Sequence, residues 1–163
     1  MSSVKFTGSE VIEMALKIEE NGMKFYTDAF KAAKDEATKA LFKKLAIEEG
    51  HHIKIFADMK ELVTDEYVQE GFDPYITEAS EYLRSMADSE VFNSPGDGGK
   101  FAGEIGNPAE VLDFAIGMEK ESLVFYGEYE KVIVEKDKAV LTALIEQEEE
   151  HLQTLIELRK EYS

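Results

Sequence analysis

The sequence predicts an all-α protein: an antiparallel four-helix bundle of two helical hairpins joined by a long crossover that contains a short extra helix. Three observations point there. Long stretches carry apolar residues at helical spacing. The two halves of the chain repeat one pattern at an offset of about 100 residues. Each half also holds a Glu-x-x-His word preceded, about thirty residues upstream, by a lone Glu on another helical segment.

The first long helical segment covers 7–34. Thr7–Gly8–Ser9–Glu10 opens it as a capping box, a hydroxyl acceptor with a Glu three residues on. The second hairpin opens at 107–135 with Asn107 as cap, Pro108 at the first helical position and Glu110 at the third. Val11, Ala15, Glu19, Phe25 and Tyr26 recur one hundred residues later as Val111, Ala115, Glu119, Phe125 and Tyr126. The return helices match at an offset of 99: Leu45, Glu49, His52 and Met59 against Leu144, Glu148, His151 and Leu158. Short charged turns, near Lys34–Thr38 and Glu135–Lys138, make each pair of helices antiparallel neighbours.

The crossover runs from about 64 to 106. A structureless loop of that length is uncommon in a compact domain. Tyr75–Met86 has helical periodicity, whereas Asn93–Gly106, with Ser94–Pro95–Gly96–Asp97–Gly98–Gly99, reads as a flexible surface loop. Residues 1–163 are expected to form one domain, because neither hairpin could bury its apolar stripe alone. A hinge between two separate domains is the alternative.

Composition narrows the function. With no Cys among 163 residues, disulfides, thiolate zinc sites, iron–sulfur clusters, rubredoxin-type iron and Cys nucleophiles are excluded. The net charge of −17 argues against a nucleic-acid backbone or an anionic membrane as partner. No apolar run approaches the roughly 20 residues that span a bilayer. MSSVKFTGSEVIEM lacks the apolar core of a signal peptide, so a soluble, cytoplasmic protein is expected.

Most of the acidic residues read as solvated helix faces. Four do not. Glu19 shares a face with Ala15, Leu16, Gly22, Met23 and Tyr26, and Glu119 with Ala115, Ile116, Ser122, Leu123 and Tyr126. Glu49 lies with Leu45, Ala46, Ile53 and Phe56, and Glu148 with Leu144, Ile145, Leu152 and Leu155. Buried carboxylates need a proton or a cation. Lys and Arg are missing from these stripes, so a metal is expected. Carboxylate oxygens with a minority of imidazole nitrogens suit iron, with manganese as alternative, better than copper.

The run Glu48–Glu49–Gly50–His51–His52 contains two overlapping words. The repeat selects Glu49 and His52. Glu48, four residues after Lys44, is expected to face solvent, and His51 to lie at the surface. The metal ligands expected are Glu19, Glu49, His52, Glu119, Glu148 and His151. Tyr26 and Tyr126 lie two turns beyond Glu19 and Glu119, roughly 10 Å of rise. Each could therefore hydrogen-bond a carboxylate from another helix, or simply pack in the core. Gly22 and Gly50 are costly inside helices and would either relieve crowding at the metals or mark loose packing.

At these residues the chain resembles the ferritin-like superfamily, and within it the di-iron domain of rubrerythrins. The matching words are Glu19-x6-Tyr26, Glu49-x-x-His52, Glu119-x6-Tyr126 and Glu148-x-x-His151. The resemblance implies two irons bridged by Glu49 and Glu148. Glu19 and His52 would be terminal on one, Glu119 and His151 on the other. It implies an oxidoreductase that reduces hydrogen peroxide. An electron donor would be a separate, rubredoxin-like protein, since a Cys-free chain holds no rubredoxin centre. A homo-oligomer, most simply a dimer, is implied as well.

Beside the missing rubredoxin centre, a second departure from the rubrerythrin pattern matters. Rubrerythrins carry a further carboxylate three residues after the third-helix Glu, where this chain has Ser122. The six-ligand set is also similar to that of bacterioferritin, but the haem-ligating Met of those cages is Gly50 here, so haem is not expected. A ferroxidase or iron-storage protein, a di-iron oxygenase acting on an organic substrate and a metal-free interaction bundle are the rival functions.

Overall fold

The computed structural model describes residues 5–63, 98–104 and 107–162. The helix expected at Tyr75–Met86, and most of the crossover, lie outside the described residues. Two helical hairpins pack into a four-helix bundle: α1 (Gly8–Ala32) against α2 (Glu36–Leu62), and α4 (Pro108–Glu128) against α5 (Lys138–Lys160). A short helix, α3 (Gly98–Glu104), lies against α1.

The caps sit where local chemistry puts them. The Thr7 hydroxyl accepts from the Glu10 amide while the Glu10 carboxylate accepts from the Thr7 amide, closing the capping box. Asp35 caps α2 by accepting from both the amide and the hydroxyl of Thr38, each at 2.9 Å. The Thr38 amide is the main cause that holds the Asp35 carboxyl below its usual range. Asn107 caps α4 through the Glu110 amide, with Pro108 in the first turn. Each such cap contributes about 1 kcal/mol. The first hairpin turn is only Ala33–Asp35, within the short connection expected.

Two elements differ from the sequence expectation. The helix expected over 107–135 stops at Glu128 and is followed by a single 3-10 turn, Tyr129–Lys131. Val132, Ile133 and Val134 are buried and form a connection to which Phe6 pairs. The Phe6 amide donates to Val132 O at 2.7 Å and the Val134 amide donates to Phe6 O at 2.9 Å. β-Branched residues favour such extended pairing over helix. Asp137 completes the junction: its buried Oδ2 accepts from the Gly8 amide at 2.8 Å, so the second hairpin's turn caps the N-terminus of α1.

The second difference is α3. Gly98–Glu104 was expected within a flexible surface loop, but it is a helix seated on the bundle. A Cβ at Gly98 would collide with the Phe25 carbonyl, so glycine is what lets the two backbones approach. Phe101 then reaches an aromatic cluster, with ring centroids 4.2 Å from Phe114, 5.2 Å from Phe25 and 6.2 Å from Phe42. Such ring pairs add roughly 0.5–1.5 kcal/mol each beyond area burial. Among the described residues, no helix is long and apolar enough to cross a membrane.

Candidate metal centre

Each of the four long helices carries one interior carboxylate, and α2 and α5 add one imidazole each. The local reason is periodicity. Glu19 is one turn from buried Ala15 and Gly22, and Glu119 one turn from buried Ala115 and Ser122. Glu49 and His52 share the buried face of α2 with Leu45 and Phe56; Glu148 and His151 share that of α5 with Leu144 and Leu155. Apolar neighbours on every stripe draw the carboxylates inward with them. Glu148 is fully buried, and Glu19 and Glu49 are 2% exposed.

All six side chains meet. Ligand atoms of Glu19, Glu49 and His52 lie within 4.8 Å of one another, and so do those of Glu49, Glu119 and His151. Glu49 belongs to both groups. Glu148 joins them through Oε1, 3.3 Å from His52 Nδ1. His52 Nδ1 is also 3.3 Å from Glu19 Oε2, and His151 Nδ1 is 2.8 Å from Glu119 Oε1. The two imidazole rings stand edge to face with centroids 4.6 Å apart.

These atoms converge without the alignment of hydrogen bonds. Glu19 Oε2, His52 Nδ1, Glu119 Oε2, both oxygens of Glu148 and His151 Nδ1 are buried and lack a hydrogen-bonding partner among the described residues. An unsatisfied buried polar atom costs about 1–3 kcal/mol, and more when charged. Six on five neighbouring residues would be untenable as a purely structural core. Two overlapping groups of carboxylate and imidazole atoms this close together could hold metal ions.

The electrostatics agree. Burial first, and then the surrounding negative charges, push the Glu19, Glu49 and Glu119 carboxyls well above the usual range. Burial acts the same way on Glu148, but the nearby His52 imidazole and Glu119 carboxyl outweigh it and hold this one carboxyl low. Burial disfavours charge on His151, yet Glu119 and Glu48 on its two sides raise its pKa to about 11. Without a cation, protons hold the cluster together.

Of the two overlapping words, the register selected by the repeat is the buried one. Glu49 and His52 are buried, while His51 is exposed. The expectation for Glu48 does not hold. Rather than facing solvent, its side chain is 21% exposed and its Oε2 lies 2.9 Å from His151 Nε2. Lys44, one turn earlier, suggested a surface partner; the actual partner is on another helix. The signal that could have found Glu48 is its position beside Glu49, where one helix can address both the site and the rim of the opposite imidazole.

Tyr26 and Tyr126 are both buried. Burial, then Glu49 for Tyr26 and Glu148 for Tyr126, raises each phenol well above its usual pKa, so both stay neutral O–H donors beside the acidic cluster. The Tyr126 hydroxyl has no hydrogen-bond partner among the described residues. Gly50 does not relieve crowding: a Cβ there would meet only Met23 Sδ, at 3.6 Å, an ordinary contact. It borders an outward apolar groove of about 320 Å³ lined also by Thr27, Phe30, Ala46 and Ile47.

Comparison with known proteins places this geometry. The family model of rubrerythrin matches residues 10–93, which contain Glu19, Glu49 and His52. A crystal structure from Thermotoga maritima, of a candidate ferritin-like diiron-carboxylate protein, is 28% identical. The match covers 98% of this chain and 99% of that one, with a TM-score of 0.50. No functionally curated protein shows significant sequence similarity.

Proposed function

We propose that this chain, which belongs to the rubrerythrin family, is a non-haem di-iron oxidoreductase that reduces hydrogen peroxide with electrons from a separate donor protein. One observation carries the metal reading: the partnerless donor atoms of Glu19, Glu119, Glu148, His52 and His151 converge on Glu49, which belongs to both candidate groups. Glu49 and Glu148 would bridge the two ions. Glu19 and His52 would hold one, Glu119 and His151 the other. Oxygen donors with two imidazoles fit iron, with manganese as the alternative. Gly50 offers no haem ligand at the position where bacterioferritins have one.

When bound, a ferrous pair supplies the two electrons that break an O–O bond. The balance is hydrogen peroxide plus two electrons and two protons, giving two waters. The chain's part is to bind the ions through six side chains, keep the surroundings apolar and hold proton donors nearby. Tyr26 and Tyr126 supply neutral hydroxyls in the field of the carboxylates and are proposed to steady carboxylates presented by neighbouring helices. Ser122, buried one turn past Glu119, stands where rubrerythrins carry a seventh carboxylate, so the ion held by Glu119 and His151 would have one protein oxygen fewer. We place the protein in the cytoplasm as a homodimer served by a rubredoxin-like donor.

Stopped-flow oxidation of the anaerobic ferrous protein tests the reaction. Hydrogen peroxide is expected to oxidise it faster than dioxygen, with turnover only when a reductant is supplied. A preference for dioxygen, with iron accumulating as a mineral core in a large assembly, would replace this reading with iron storage of the bacterioferritin type. Turnover of an organic substrate at the expense of dioxygen would replace it with an oxygenase.

A further inference from the structure

We propose that Glu48 positions the imidazole of only one of the two metal sites, so that the two ions are bound unequally. This rests on the di-metal reading above.

His151 is held from both sides. Its Nδ1 is 2.8 Å from Glu119 Oε1 inside the cluster, and its Nε2 is 2.9 Å from Glu48 Oε2 at the rim. An imidazole that donates its Nε2 proton to a carboxylate keeps its Nδ1 lone pair for a metal. The ring's orientation is fixed before the ion arrives, and the carboxylate makes Nδ1 the stronger donor.

His52 is held differently. Its two close carboxylates, Glu19 and Glu148, both address Nδ1. Among the described residues, no carboxylate stands at its Nε2. The internal repeat accounts for this. The offset of 99 that carries Glu49 to Glu148 and His52 to His151 carries Glu48 to Gln147, a neutral amide. The two halves thus agree at every proposed ligand and disagree at the one position that supports an imidazole from behind. The ion bound by Glu119 and His151 is therefore the tighter of the two, and the ion bound by Glu19 and His52 the more labile.

Cobalt(II) is the probe, titrated into the full-length apo protein. Wild type is expected to take up two equivalents with separable affinities. Glu48→Ala should weaken the tighter one by roughly 10–100-fold and leave the other unchanged. Gln147→Glu should tighten the weaker one. Proton NMR of the cobalt-loaded protein reads the ring N–H groups directly. One shifted imidazole N–H should exchange slowly with solvent and the other fast. Glu48→Ala and Glu48→Gln, the latter copying the neutral amide of Gln147, should each make both fast, and Gln147→Glu should make both slow. Two equivalents of cobalt with equal affinities, or a Glu48→Ala variant that weakens both alike or neither, would overturn the inference and leave the metal centre standing. No cobalt uptake by wild type would overturn the metal centre and this inference with it.

Discussion

A buried carboxylate is tolerable only beside something that neutralises it, and this rule sorts the residues of the site. Glu49 and Glu148 face charges on several sides. Losing either removes a proposed bridge and leaves the remaining carboxylates repelling one another. Glu49→Ala and Glu148→Ala should therefore each lose most of the bound iron, read as metal content of the purified proteins. His51→Ala, at an exposed position on the same helix, should keep both ions. An emptied site in His51→Ala with full loading in Glu49→Ala would mean that the other of the two overlapping words is the functional one. A second residue-scale test concerns Ser122. Ser122→Glu adds a carboxylate one turn from Glu119 on the same face. It should lower the reduction potential of the iron proposed to lie between Glu119 and His151, measured by anaerobic redox titration; an unchanged potential would show that the side chain does not reach the ion.

At the scale of elements, the bundle is built so that apolar stripes position the polar site. The weak point is where α3 meets α1. Gly98→Ala places a methyl against the Phe25 carbonyl, and α3 has to move away from the aromatic cluster around Phe101. Overpacking of this kind costs about 1–3 kcal/mol, and the loss should appear as a lower urea midpoint. Gly103→Ala, where a Cβ meets nothing within 4 Å, is the control and should be neutral or slightly stabilising. Equal midpoints for the two variants would show that α3 does not contribute to the core. The same elements show what the sequence could convey. The long helices and the inward placement of six polar side chains were legible, because a carboxylate that interrupts a helical apolar stripe is a local pattern and the repeat states it twice. The end of α4 was not, since the Val132–Val134 run could have prolonged the helix and only its pairing with Phe6, far away in the chain, decides otherwise. Nor was α3: a Gly-rich stretch reads as loop until a neighbouring backbone requires one glycine. Glu48 was hidden for a related reason, its partner lying 103 residues away while Lys44 offered a local explanation.

The whole molecule should register the metal as stability, with a pH dependence whose sign follows from the site. In the apo protein the Glu19, Glu49 and Glu119 carboxyls titrate well above their unfolded value of about 4.3. The folded form then binds more protons than the unfolded form as pH rises past that value, so apo stability falls. His151 acts in the same direction. Its contribution is complete below about pH 6.5, the unfolded value, and is lost as pH rises toward about 11. Glu148, held low, acts in the opposite sense, but its stabilising effect is already complete above the unfolded carboxyl value and so is constant from pH 5 to 9. Iron displaces the shared protons, so its affinity rises with pH. At a thousandfold excess over Kd it adds about 4 kcal/mol to the folded form. The melting temperatures of apo and ferrous-loaded protein, taken anaerobically across pH 5 to 9, should therefore diverge as pH increases. The difference between the two forms is the quantity to read. Repulsion across a surface that gives a net charge of −17 weakens both forms alike and cancels from it. A gap that closes with rising pH, or no gap at any pH, would mean that protons rather than metal ions are what this core is built to hold.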